Sequence, residues 1–168
     1  MSNRAVMLLE ELGARFDLSL QPGMSPGGPA SSARDPGGLM ADSSLLPRMP
    51  YRPSICDFTR PDPTRREGLW IIPLSAGVEK VPAPKENEES SFRAVELDSP
   101  PDRFEWLINT ILTSLERPYL ALAISSATGI KPRHLRNLKM NFSSLLMHPL
   151  ADRFVISTPA EAVIMLGQ

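Results

Sequence analysis

The residues able to do chemistry in this chain are few and scattered. His134 and His148 stand 14 residues apart with no cysteine beside either, and neither an HxxxH nor a CxxC spacing gathers a metal ion. Serines are numerous, but no Gly-x-Ser-x-Gly elbow is expected. Ser125 and Ser126 fall in an apolar stretch, where a hydroxyl bonds a carbonyl one turn back. Gly-Lys does not occur, so a phosphate loop is excluded. Cys56 is the single cysteine; it permits no intramolecular disulfide, and its neighbours Ile55, Asp57 and Phe58 disfavour a thiolate. The expectation is a non-enzymatic protein with no cofactor and no metal.

Two sets of residues have the spacing of binding surfaces. At the N-terminus Val6, Leu8, Leu9 and Leu12 recur at helical intervals over Asn3 to Leu12, and Gly13 is placed to end the helix in the left-handed region. Ten residues rarely hold helix alone, so this face must be covered, either by the chain's own C-terminal domain or by a partner's groove. In the second set Arg133, Arg136 and Lys139 project from one side of a helix expected over 132–147, beginning at Pro132. Leu135, Leu138, Phe142, Leu145 and Leu146 lie within about a quarter turn of one another at 100° per residue and are expected to face the core.

An apolar segment from Tyr119 to Ala127, expected to be a short central helix, the turn Thr128-Gly129-Ile130 and the basic helix together resemble a helix-turn-helix. That resemblance implies DNA binding through the second helix. The same stretch, Ala127 to Lys139, is similar in spacing to the first catalytic box of tyrosine recombinases. It departs from that family at Lys131, where an arginine belongs, and no HxxR box or terminal tyrosine follows. A formal net charge of −1 and a pI near 6.1 provide no global field toward nucleic acid. The basic helix is therefore expected first to meet protein and in the alternative to read DNA as a regulator.

The elements that position these residues divide the chain unevenly. Most of its 18 prolines and 10 glycines lie between Gln21 and Pro84, where neither helix nor ladder propagates. The expected fold class is mostly α: a small C-terminal helical domain of three to four helices, with room for short strands, preceded by a largely disordered Pro/Gly-rich arm. The expected boundaries are an amphipathic helix over 1–20, a disordered linker over 21–67, edge strands and an acidic boundary over 68–98, and the helical domain over 99–168. Within the linker, Leu39, Met40, Leu45 and Leu46 interrupt the polar run, and Pro50 and Pro53 beside Arg48 resemble a polyproline ligand. Leu69 to Ile72 is expected to form a hairpin with Val78 to Val81, and Phe92 to Leu97 a short strand.

Ser99, Pro100 and Asp102 are expected to cap the first domain helix, which carries Phe104, Leu107, Ile108, Ile111, Leu112 and Leu115 on one face. Thr158 and Glu161 are expected to form a capping box for the last helix. A unit of about 70 residues buries little surface and benefits from a partner. Two ordered pieces on a tether suggest an adaptor or accessory factor. The N-terminal apolar run of about five residues is too short for a signal-peptide core, and no stretch approaches the roughly 20 apolar residues that span a bilayer. The expectation is an intracellular protein, cytoplasmic or nuclear, that does not enter a membrane.

Overall fold

A computed structural model describes residues 2–23, 46–80, 90–114, 119–124 and 131–166. Among them are four α-helices and four short strands, so helix predominates as the sequence leads one to expect. The chain forms two compact units, one comprising Met1–Leu74 with Thr158–Gln168 and the other Ser75–Ser157. No described helix is long and apolar enough to cross a membrane.

The first unit starts with α1 (Asn3–Glu11), capped by the Ser2 hydroxyl accepting from the Ala5 amide. Gly13, at φ +79°, turns the chain out of the helix. Strand β1 (Phe16–Asp17) then runs parallel to β2 (Trp70–Ile71), Phe16 opposite Trp70. Amide to carbonyl bonds extend this pairing from Trp70 onto Arg15, Ile72 onto Asp17 and Leu74 onto Leu20. Tyr51 bridges Ile71 on the other side. Val6, Leu20, Leu46, Tyr51, Phe58, Leu69 and Ile71 make the core, with Leu9 and Ala14 packed against it.

Residues 46–67 differ from the expected disordered linker. Pro53 and Pro61 form an antiparallel bridge, and Pro53 is buried, which removes it as a polyproline ligand. Backbone bonds hold the segment, the Ser54 amide donating to the Arg60 carbonyl and the Asp62 amide to the Arg52 carbonyl, and side chains supply donors that proline lacks. Arg52 donates to the Gly68 carbonyl at 2.7 Å and Arg65 to the Pro53 carbonyl at 2.9 Å. The Tyr51 hydroxyl donates to the Phe58 carbonyl at 2.9 Å. Asp57 and Asp62 each accept from the amide and hydroxyl of the threonine two residues on, a repeated aspartate turn. The Asn3 side chain ties the start of α1 to the same loop, donating to the Cys56 carbonyl and accepting from the Phe58 amide. Leu46 is in the core, while Leu39, Met40 and Leu45 lie outside the described residues.

In the second unit β3 (Ala76–Lys80) pairs antiparallel with β4 (Ser90–Ala94), Ala76 opposite Ala94. This replaces the hairpin expected between Leu69–Ile72 and Val78–Val81: the earlier run pairs with β1 instead. Residues 119–124 are extended, not helical. The Leu97 amide donates to the Ala123 carbonyl, the Ala123 amide to the Val95 carbonyl, and the Ser75 amide to the Ala121 carbonyl. The Ser75 hydroxyl donates to the Tyr119 carbonyl and accepts from the Ala121 amide. An apolar run beside open strand edges is better satisfied by this long-range pairing than by a short isolated helix.

Helix α2 (Pro101–Ser114) sets Phe104, Leu107, Ile108 and Ile111 against Val95 and Leu97. A Cβ on Gly77 would stand 2.7 Å from Leu107 Cδ2, so the glycine permits the close approach of helix to strand. The expected Ser99 cap is not made. Its hydroxyl donates to the Glu96 carbonyl at 2.7 Å, closing a turn before the helix rather than capping it. Helix α3 (Pro132–Leu146) follows, then a 3-10 turn (Ala151–Arg153) and an extended stretch. Helix α4 (Pro159–Leu166) carries the expected capping box: the Thr158 amide and hydroxyl both donate to Glu161 Oε2, at 2.7 and 2.8 Å. It belongs to the first unit rather than to a domain over 99–168.

Candidate functional site

The most distinctive surface is the outer side of α3. The helix has no carboxylate anywhere along it, and the side turned to the core is set by polar residues. Asn141 is wholly buried, its Nδ2 donating to the Leu97 and Ser99 carbonyls at 2.8 and 2.9 Å. One turn earlier, Asn137 Nδ2 donates to the Asp98 carbonyl at 3.1 Å, and His134 Nδ1 lies 3.6 Å from Asp98 Oδ2. Residues 97–99 run past the helix with carbonyls unused by any strand, and these amides satisfy them. Leu138 and Leu145 flank the polar seam and pack on the core.

This seam turns α3 away from the orientation expected of it. Leu135, Phe142 and Leu146, expected to face the core, are 54 %, 45 % and 65 % exposed. At 100° per residue they fall with Lys139 inside about 60° of the helix circumference. Arg133 and Arg136 are exposed too. The Arg133 guanidinium donates to His134 Nε2 at 3.2 Å, and neither Arg136 nor Lys139 meets a carboxylate among the described residues. Lys139 thus falls within an exposed apolar stripe that periodicity alone did not reveal, Arg136 lies about 60° beyond it and Arg133 about 60° further round the helix. The signal available was Asn141: an amide at the edge of the apolar face, one turn from Asn137, marks where carbonyls are to be satisfied.

The N-terminal set is divided. Val6 is 3 % exposed and Leu9 packs against the core, which removes both from a partner-binding face. They are held by residues 46–71 of their own unit. Leu8 and Leu12 remain exposed, Leu12 by 83 %. The helix-turn-helix is not formed as expected, since residues 119–124 are extended and 125–130, with Ser125 and Ser126, lie outside the described residues.

Both histidines are occupied structurally. His148 Nδ1 accepts from the Leu150 amide at 3.1 Å, so Nε2 carries the proton and donates to Asn109 Oδ1 at 3.2 Å, and the ring stacks on Phe154. Cys56 is exposed. Gly23-Met24-Ser25-Pro26-Gly27 matches the Gly-x-Ser-x-Gly spacing that sequence reading passed over. Its serine lies outside the described residues, and no strand leads into it, since Leu20 and Gln21 precede it as unassigned chain. Comparison of the chain with protein-family models, with curated proteins and with solved structures finds no match.

Proposed function

We propose that this chain is a non-enzymatic interaction protein that takes an acidic, amphipathic protein segment on the outer side of α3. The observation that carries the reading is the exposed stripe of Leu135, Phe142 and Leu146 with Lys139 inside it and Arg136 beside it, on a helix that also carries Arg133 and has no carboxylate. Burying one such side chain completely contributes about 1.5–3 kcal/mol, so three half-exposed ones supply a useful fraction of a complex. The cations choose the partner: a second copy of α3 would oppose like charges, whereas an acidic helix gains steering and register. Leu8 and Leu12 offer a second, smaller apolar contact, as an adaptor requires.

Affinity purification of the full chain, compared with the Leu135→Ser/Phe142→Ser/Leu146→Ser variant and with Arg133→Gln/Arg136→Gln/Lys139→Gln, tests this reading. The apolar variant is expected to lose its bound protein. The charge variant is expected to associate more slowly. Duplex DNA should not bind above background at physiological salt. Submicromolar duplex binding with a steep loss in salt, abolished in the charge variant, would instead establish the DNA-binding reading.

A further inference from the structure

Within the first unit lies an open cleft of about 570 Å³, bordered by the exit of α1, the loop leading into β2 and one side of α4. Its volume is that of a small-molecule site. Two of its charges are already spoken for. Glu10 accepts from Arg65 Nη2 through both oxygens, at 2.7 and 2.6 Å, and from the Leu69 amide at 2.7 Å. Arg52 donates to the Gly68 carbonyl and lies 4.6 Å from the centre of the Trp70 ring, with the Glu67 carboxylate near enough to stabilise its charge.

Two cations are left over. Arg15 and Arg66 border the cleft, are exposed, and have no carboxylate partner among the described residues. The Arg15 guanidinium rests 5.6 Å from the centre of the Phe16 ring, which limits its wandering and lowers the entropy lost on binding. Counting Arg65, which stands behind Glu10 in an ion pair, the four guanidiniums at and beside the cleft exceed the two carboxylates Glu10 and Glu67 by two positive charges. The lining is otherwise partly apolar, through Ala14, Val163 and Ile164, and Ile164 is largely exposed.

A phosphate monoester carries close to two negative charges at neutral pH, and a guanidinium fork matches its oxygens in pairs. A carboxylate would leave one cation unmatched, and a purely apolar ligand would bury both. We propose that this cleft binds an organic phosphate monoester of about mononucleotide size, with the phosphoryl group on Arg15 and Arg66 and the organic body against Ala14, Val163 and Ile164. The site is distinct from the α3 surface and stands or falls independently of it.

Trp70 borders the cleft and serves as reporter once Trp106, on α2, is replaced by Phe. Full-length Trp106→Phe protein is titrated with adenosine monophosphate, inorganic phosphate and adenosine, following both Trp70 emission and the thermal midpoint. Adenosine monophosphate is expected to bind saturably and raise the midpoint, inorganic phosphate to bind about tenfold more weakly, and adenosine more weakly still. Adding Arg15→Gln/Arg66→Gln, both at exposed positions, should weaken the monophosphate at least about tenfold and leave the ligand-free midpoint unchanged. Equal affinity for phosphate and monophosphate would overturn the role of the apolar wall. The whole proposal fails if neither anion binds below about 10 mM by either readout, or if binding survives the double substitution.

Discussion

Glu10 organises the first unit from a single carboxylate. Burial pushes its pKa up, but the Leu69 amide and the Arg65 guanidinium outweigh that and hold the carboxyl below its ordinary value of 4.5. A group with a lowered folded-state pKa stabilises the fold fully above its unfolded value, and the contribution disappears as pH falls through the folded value. Glu10→Gln should therefore cost about 2 kcal/mol at neutral pH, because it leaves a mostly buried guanidinium without its counter-charge. It should also flatten the loss of stability between about pH 5 and pH 3, as read from urea midpoints across that range. A midpoint with the same pH slope as wild type would remove Glu10 from this role. Gly68 depends on the same contact. It sits at φ +98°, and a Cβ there would stand 2.5 Å from Glu10 Oε1 and 2.7 Å from Arg65 Nη2. Gly68→Ala should lower stability by about 1–3 kcal/mol through the strained backbone and the displaced ion pair. Chemical denaturation measures it, and a neutral effect would mean the loop relaxes freely.

At the scale of elements, what was legible in the sequence follows where each element gets its order. Helices α1, α2 and α4 could be read because their termini and periodicity are local: Gly13 turning out of α1, the Phe104 to Ile111 face, Thr158 with Glu161. Helix α3 was located but turned wrongly, because its inner face is centred on Asn141, and polarity reads as exposure until the Leu97 and Ser99 carbonyls are in view. Residues 46–67 were illegible for a related reason. Their backbone is held by irregular backbone bonds and by Arg52, Arg65 and Tyr51 reaching 16, 12 and 7 residues along the chain, and no periodic signal accompanies such bonds. The extended course of 119–124 was hidden because a run apolar all round suits a buried strand as well as a buried helix. The orientation of α3 yields a contrast in stability. Asn141→Leu leaves two buried carbonyls unsatisfied and should cost about 2–4 kcal/mol, whereas Leu135→Ser and Phe142→Ser on the outer side should each change stability by no more than about 0.5 kcal/mol. Urea unfolding followed through Trp106 measures both. A large loss on the outer substitutions would mean that this side is covered within the chain and is unavailable to a partner.

For the molecule as a whole, the expected boundary near Ser99 gives way to two units in which the chain's last helix joins its first. Local capping explains why α4 forms but carries no information about what it packs on, so sequence reading assigned it to the elements nearest in the chain. Val163 is the buried residue of α4, and the helix belongs to the first unit. Each unit contains one of the two tryptophans, Trp70 in the first and Trp106 in the second, so single-tryptophan variants report each unit separately within the full chain. Val163→Asp places a charge in an apolar site and should cost the first unit about 3 kcal/mol or more. In the Trp106→Phe background, where Trp70 reports, the urea midpoint is expected to fall steeply. In the Trp70→Phe background, where Trp106 reports, it should stay within error of the parent, because Phe104, Leu107, Ile108 and Ile111 pack on Val95 and Leu97 without any residue of α4. Equal shifts through both reporters would mean that the units unfold as one cooperative block. A fall seen only through Trp106 would return α4 to the second unit and restore a domain running to the end of the chain.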